Sequence, residues 1–118
     1  MSYLAVFLGG GLGSVCRFAL ARWAIGSGQE LIWATLGANV LACLVLGALA
    51  AEIIGSGWRP DWRILVAAGF CGGFSTFSTF SLEAFTLAQN GRVGLALLYV
   101  GLSLLLGLVA VGVWRWWT

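Results

Sequence analysis

Residues 69–85 read GFCGGFSTFSTFSLEAF, with phenylalanine at every third position, Phe74, Phe77 and Phe80. Hydroxyls fill the gaps at Ser75, Thr76, Ser78, Thr79 and Ser81. Phenyl edges carry a partial positive charge and hydroxyls donate hydrogen bonds, so together they can line an anion path without a full positive charge. On a helix a three-residue step turns about 300°, which sets the three rings in one slowly drifting stripe. Ser75, Ser78 and Ser81 make a second stripe beside it. Ordinary aromatic packing, with serines bonded back to the helix, is the other reading of the same pattern. Gly72-Gly73 favours a broken helix, and a break inside a bilayer is tolerated only where protein or a cavity satisfies the backbone. Carbonyls freed there suit a small hard cation such as Na⁺.

The other polar residues of the apolar segments add to this set. Asn39 sits mid-segment, one turn beyond Thr35 and on the same helix face. Its amide offers two donors and an acceptor, as a bridge between helices or as a donor to a permeating ion. Arg17 lies well inside the first segment, where ionisable groups face protein or water. It approaches the same membrane side as Glu83, so the two can pair, or Arg17 can attract an anion at a vestibule. Tyr99, Ser103 and Gly107 share a face of the last segment at four-residue spacing.

These residues require a membrane scaffold. The 118-residue chain is 61% hydrophobic and 8% charged, against about 25% charged for a soluble domain. A helix needs about 20 apolar residues to cross the hydrocarbon core, so four crossings use nearly the whole chain. The expectation is an all-α membrane protein, one four-helix transmembrane domain over 1–118, with spans at about Tyr3–Ile25, Leu31–Ile54, Trp62–Gln89 and Arg92–Trp116. Gly26-Ser27-Gly28, Gly55-Ser56-Gly57 and Asn90-Gly91 supply turns, and Asp61 after Pro60 is placed to cap the third helix. Trp23, Trp33, Trp58, Trp62, Trp114, Trp116 and Trp117 all fall near span ends, where indole prefers the headgroup layer. The N-terminus has no basic residue before its apolar run and reads as a retained span. Cys16, Cys43 and Cys71 have no spacing for a zinc site or disulfide framework and read as small packing residues. A net charge of +2 gives no reason to expect a nucleic-acid partner.

Orientation is nearly unbiased. Arg59, Arg63 and Arg115 fall on one side; Arg22 and Arg92 fall on the other, with Arg17 if it snorkels that way. So even a split permits insertion both ways, and opposite copies then form an antiparallel dimer. Gly9-x-x-x-Gly13 and Gly69-x-x-x-Gly73 have the spacing of close helix contacts.

The segment GFCGGFSTFSTFSLE closely resembles the Fluc/CrcB fluoride channel family. GGGLGSVCRF is similar to that family's glycine-rich first helix ending in arginine, and TLGANVLACLVLG to its second helix with a central asparagine. The resemblance spans essentially the whole chain. It implies an antiparallel dual-topology homodimer in the bacterial plasma membrane, with two fluoride pathways and one structural Na⁺ at the dimer interface, at the breaks in the third helices. It implies that Phe77 and Phe80 face fluoride, that Asn39 is the pore asparagine, and that Ser78, Thr79, Ser81 and Ser103, with Tyr99 nearby, belong to a polar track. Gly72 and Ser75 would bind Na⁺ through their carbonyls; Arg17 resembles the vestibular arginine and Glu83 the acidic residue after the motif. Ser75 stands where the family often has Thr, and Gly107 where some members have a second hydroxyl.

The expected function is passive, fluoride-selective export, which lowers the cytoplasmic concentration of a toxic anion. Two rivals stand beside it. A small multidrug-resistance-type transporter depends on a glutamate in its first helix, and this first span has none. A non-transporting scaffold subunit leaves the hydroxyl stripe unexplained. Without a nucleophile and base set together, the chain is not expected to be an enzyme.

Overall fold

The computed structural model describes residues 2–116; Trp117, assigned above to a span end, lies outside them. Every regular element among the described residues is helical. Helix α1 spans Ser2–Gly26 and α2 spans Leu31–Ala50. The third stretch is composite: α3 (Pro60–Ile64), π-helical turns over Leu65–Cys71, the short α4 (Gly72–Phe74), and then α5 (Phe77–Gln89). Helix α6 covers Val93–Gly112 and ends in a 3₁₀ turn, Val113–Trp116. Four stretches are long and apolar enough to cross a membrane: Ser2–Gly26, Leu31–Ala50, Pro60–Gln89 and Val93–Trp116.

Local chemistry sets the ends. At Gly91 (φ 79°) the amides of Gly91 and Arg92 reach back to the carbonyls of Ala88 and Leu87, the closing pattern of a helix C-terminus with glycine in the left-handed region. Helix α2 stops at Ala50, four residues before the expected Ile54, because the same closure forms there. Ile53 N bonds to Ala48 O at 2.9 Å, and Glu52 takes φ 58°. Arg63 then covers this C-terminus, donating to Gly55 O at 2.7 Å and to Leu49 O at 3.2 Å. A cation at that end also meets the negative pole of the helix.

Asp61 does not cap the third stretch as expected. Arg59 is the N-cap residue, without a side-chain cap bond, and Pro60 takes the first helical position. That puts Asp61 inside the first turn, where its charge still complements the helix dipole.

The closest packing is between α1 and the first half of the third stretch. Gly9 and Gly13 are buried on α1; Gly9 faces Gly69, Gly13 the backbone of Phe70 and Phe74, and the neighbouring Gly10 faces Gly73. A Cβ on Gly9 would strike the Leu65 carbonyl oxygen, one on Gly13 the Phe70 carbonyl oxygen, and one on Gly73 the Gly10 carbonyl oxygen. The two four-residue glycine spacings therefore mesh with one another, backbone on backbone. Helix α2 lies behind this seam and also packs along α6. Its apolar side contributes Ala38 and Ala42 to one buried cluster with Cys71 and Phe74, and Ile32 and Leu36 to another with Leu87, Ala96 and Tyr99.

Candidate functional site

The third stretch leaves helical geometry at two residues. Ser75 has φ −85°, ψ 156° and Thr76 has φ −153°, ψ 125°. Gly72 and Gly73, where the sequence suggested the break, are themselves helical, and Gly72 has φ −63°, ψ −37°. Gly73 is small because it abuts Gly10, so this glycine is explained by proximity to α1.

Extended backbone at this depth needs partners, and Asn39 supplies them. Its Nδ2 donates to Thr76 O at 3.2 Å, and its Oδ1 accepts from Thr76 N at 2.8 Å. One side-chain amide thus pairs both backbone groups of one residue. Thr76 in turn starts α5: its Oγ1 accepts from Thr79 N at 3.2 Å, an ordinary N-cap bond. Carbonyls ahead of the extended pair lose their helical donors as a result, those of Gly72 and Ser75 among them. In a continuous helix Thr76 N would serve Gly72 O, and Thr79 N would serve Ser75 O. Both amides are engaged elsewhere.

The two extended residues also reset the helical phase, so the rings do not form one stripe. Phe74 is buried and stacks on Phe70, with centroids 5.5 Å apart. Phe77 and Phe80 lie beyond the extended pair, 5.9 Å apart and inclined at 48°. Phe80 meets Tyr99 edge-on at 5.1 Å, while Phe77 is 78% exposed. The serine stripe divides for the same reason. Ser75 Oγ bonds back to Cys71 O at 2.7 Å, as the packing alternative required, whereas Ser78 Oγ lies 3.4 Å from Thr76 Oγ1.

A cleft of about 250 Å³ opens beside the extended residues, lined by Asn39, Cys43, Ser75, Thr76, Phe77, Phe80, Ser103, Leu104 and Gly107. No charged side chain lines it. The structure therefore brings together Asn39, Phe77, Phe80, Ser103 and Ser75 from the expected set. Ser78, Thr79 and Ser81, all within the first turns of α5, are not among the lining residues. Ser103 Oγ is the one buried side-chain polar atom among the described residues with no hydrogen-bond partner.

Glu83 stands one turn beyond Phe80 on α5, held by two hydroxyls. Thr35 Oγ1 donates to its Oε2 at 3.1 Å and Tyr99 OH to its Oε1 at 2.8 Å. Tyr99 is fully buried. Arg17 does not meet Glu83; its Nε donates to Gly73 O at 3.1 Å. The close glycine seam holds Arg17 beside that carbonyl.

Cys43 was not singled out for the site by sequence reasoning, Thr76 only as one hydroxyl of the third stretch, and Thr35 only as a neighbour of Asn39. Thr35, Asn39 and Cys43 repeat every four residues on α2, as Tyr99, Ser103 and Gly107 do on α6. That parallel spacing was the available signal. Cys43 Sγ lies 3.6 Å from where a Cβ on Gly107 would stand, so the two tracks meet at that end.

The family model described as CrcB-like protein, Camphor Resistance (CrcB), matches residues 4–114. The chain belongs to the CrcB family. Relatives of this CrcB-family chain include proteins named fluoride-specific ion channel FluC. One, from Leptospira interrogans, is 41% identical over 96% of this chain and 92% of its own. Another, from Thermus thermophilus, is 43% identical over 91% of this chain and 85% of its own. A third, from Erythrobacter litoralis, is 39% identical over 92% and 85%.

Proposed function

We propose that this CrcB-family chain is a multi-pass membrane protein forming a fluoride-selective channel for passive export of cytoplasmic fluoride. The observation that carries the reading is the unpartnered Ser103 hydroxyl, buried in an uncharged cleft beside Asn39, Phe77 and Phe80. A buried donor without an acceptor calls for an anion or water. Phenyl edges and hydroxyls offer a dehydrating halide partial positive charge without trapping it as an arginine would. Fluoride enters acidified cells as neutral HF and is held inside as the anion. An inside-negative potential of 100 mV favours outward movement by about 2.3 kcal/mol per charge, or a ratio of about fiftyfold. No coupled energy source is needed.

In this reading the channel is an antiparallel homodimer of two copies inserted in opposite orientations. The near-even arginine distribution supports that, as does Phe77, whose ring is left exposed at the mouth of the cleft. The carbonyls of Gly72 and Ser75 fit a structural Na⁺ at the centre of such a dimer. Their usual helical donors are taken by Asn39 and Thr76, and bare carbonyl oxygens are the ligands a hard cation accepts. Bound there, Na⁺ would offset the partial negative charge of these carbonyl oxygens. Asn39 positions Thr76, and Arg17 steadies the adjacent Gly73 carbonyl.

Purified protein in liposomes tests the reading. Adding a K⁺ ionophore should release fluoride while chloride stays, and Phe80→Ile should sharply reduce the flux with assembly intact. Equal chloride and fluoride rates would refute selectivity. Replacing Na⁺ with a large organic cation should lower dimer yield or flux; no change in either would remove the cation from the proposal.

A further inference from the structure

A second groove, also of about 250 Å³, opens at the end of the bundle where α1 and the third stretch begin. Leu4 and Leu8 of α1 and Leu65 of the third stretch form its apolar wall, with Trp62, Arg59 and Asp61 around it. None of these residues lines the cleft described above. Trp58 and Trp62 are both exposed here, which places this rim at headgroup depth.

Arg59 and Asp61 share the groove, yet no ion pair or hydrogen bond joins either side chain to a described residue. Opposite charges held near each other without bridging match a ligand that carries both signs. A guanidinium takes phosphate oxygens in paired hydrogen bonds. A carboxylate accepts from a primary ammonium, and a trimethylated ammonium has no N–H to give it.

We propose that this groove seats a phospholipid with a phosphoethanolamine headgroup, its phosphate on Arg59, its ammonium on Asp61 and one acyl chain along Leu4, Leu8 and Leu65. The site is independent of fluoride conduction. Asp61 is the selective element: it disfavours a net-negative phosphoglycerol headgroup by repulsion and gains no hydrogen bond from phosphocholine.

Native mass spectrometry of the full-length protein tests this, after exchange against an equimolar mixture of phosphatidylethanolamine, phosphatidylcholine and phosphatidylglycerol with matched acyl chains. The wild type should retain phosphatidylethanolamine about threefold over each of the others, the scale of one exposed ion pair. Asp61→Asn should bring that ratio to about one, and Arg59→Gln should lower retention of all three lipids. Equal retention of ethanolamine and choline lipids by the wild type would overturn the proposal, as would a phosphatidylglycerol preference. An ethanolamine preference surviving Asp61→Asn would overturn it too. Should either variant misfold, the wild-type ratio decides alone.

Discussion

The α1 seam and the α2–α5–α6 cleft lie on either side of the same interrupted segment and treat space in opposite ways. At the seam, Gly9, Gly13, Gly69 and Gly73 remove side chains until backbones touch. At the cleft, rings and polar groups hold the helices apart and leave a donor unmatched at Ser103. The first arrangement fixes the scaffold. The second leaves open space beside that donor. Ser75 and Thr76 join the two, because the chain changes phase there and turns Phe74 to one side and Phe77 and Phe80 to the other.

The sharpest way to break this contrast is to add bulk to the seam. Gly13→Leu should abolish recovery of folded protein, since both Phe70 O and Phe74 N block the new Cβ and neither is a side chain that can swing aside. Overpacking costs about 1–3 kcal/mol even where side chains yield. Gly11→Leu, on a position with open space around it, should leave size-exclusion behaviour and thermal stability unchanged. If both variants behave alike, the seam is not the rigid half.

Asn39→Asp should act next most strongly. It keeps an acceptor for Thr76 N but loses the donor to Thr76 O, setting a carboxylate oxygen against a carbonyl. One unsatisfied buried group costs about 1–3 kcal/mol, so fluoride flux should fall about ten- to a hundredfold in liposomes. Full flux would show that the clamp is dispensable.

Ser103→Ala separates conduction from stability. Because its hydroxyl has no partner, its loss should leave the melting temperature unchanged or raised, whereas flux should drop about tenfold. A stability loss without a flux change would make Ser103 a packing residue.

The smallest effect belongs to a contact outside both regions. Arg92 Nη1 meets Glu30 Oε1 at 2.7 Å across two loops, and this hydrogen bond is the main cause holding the Glu30 carboxyl below its ordinary pKa. A lowered pKa gives stability that is complete above the unfolded-state value and lost as pH falls through the folded one. Both side chains are about half exposed, so the effect is slight. Glu30→Gln should flatten a small acid-side decline in melting temperature and leave flux at neutral pH untouched. A steep decline persisting in the variant would place the acid-sensitive group elsewhere.

Much of this was legible in the residues. Long uncharged runs mark four helices because hydrocarbon demands them, and the paired glycine spacings anticipate a seam. Asn39 stood out because an amide in hydrocarbon needs a partner. The departure at Ser75-Thr76 was displaced from the glycines, since glycine serves close approach as readily as it serves a bend. Reading Phe74, Phe77 and Phe80 at one period assumed an unbroken helix, and two extended residues undo that phase. Pairing with Glu83 was one of two readings of Arg17, because both approach one membrane side. The seam sets it against Gly73 O, and Glu83 draws its donors from Thr35 and Tyr99, on two other helices. Contacts of that kind depend on rotation about three axes, which a single row of letters does not record.

The paired bonds between Asn39 and Thr76 also calibrate the bundle lengthwise. They act as one rung of a ladder between two helices, and a slip of one residue in either direction would lose both hydrogen bonds together. Loops on either side can therefore change length freely, whereas a single insertion within α2 ahead of Asn39 would throw the whole assembly out of step.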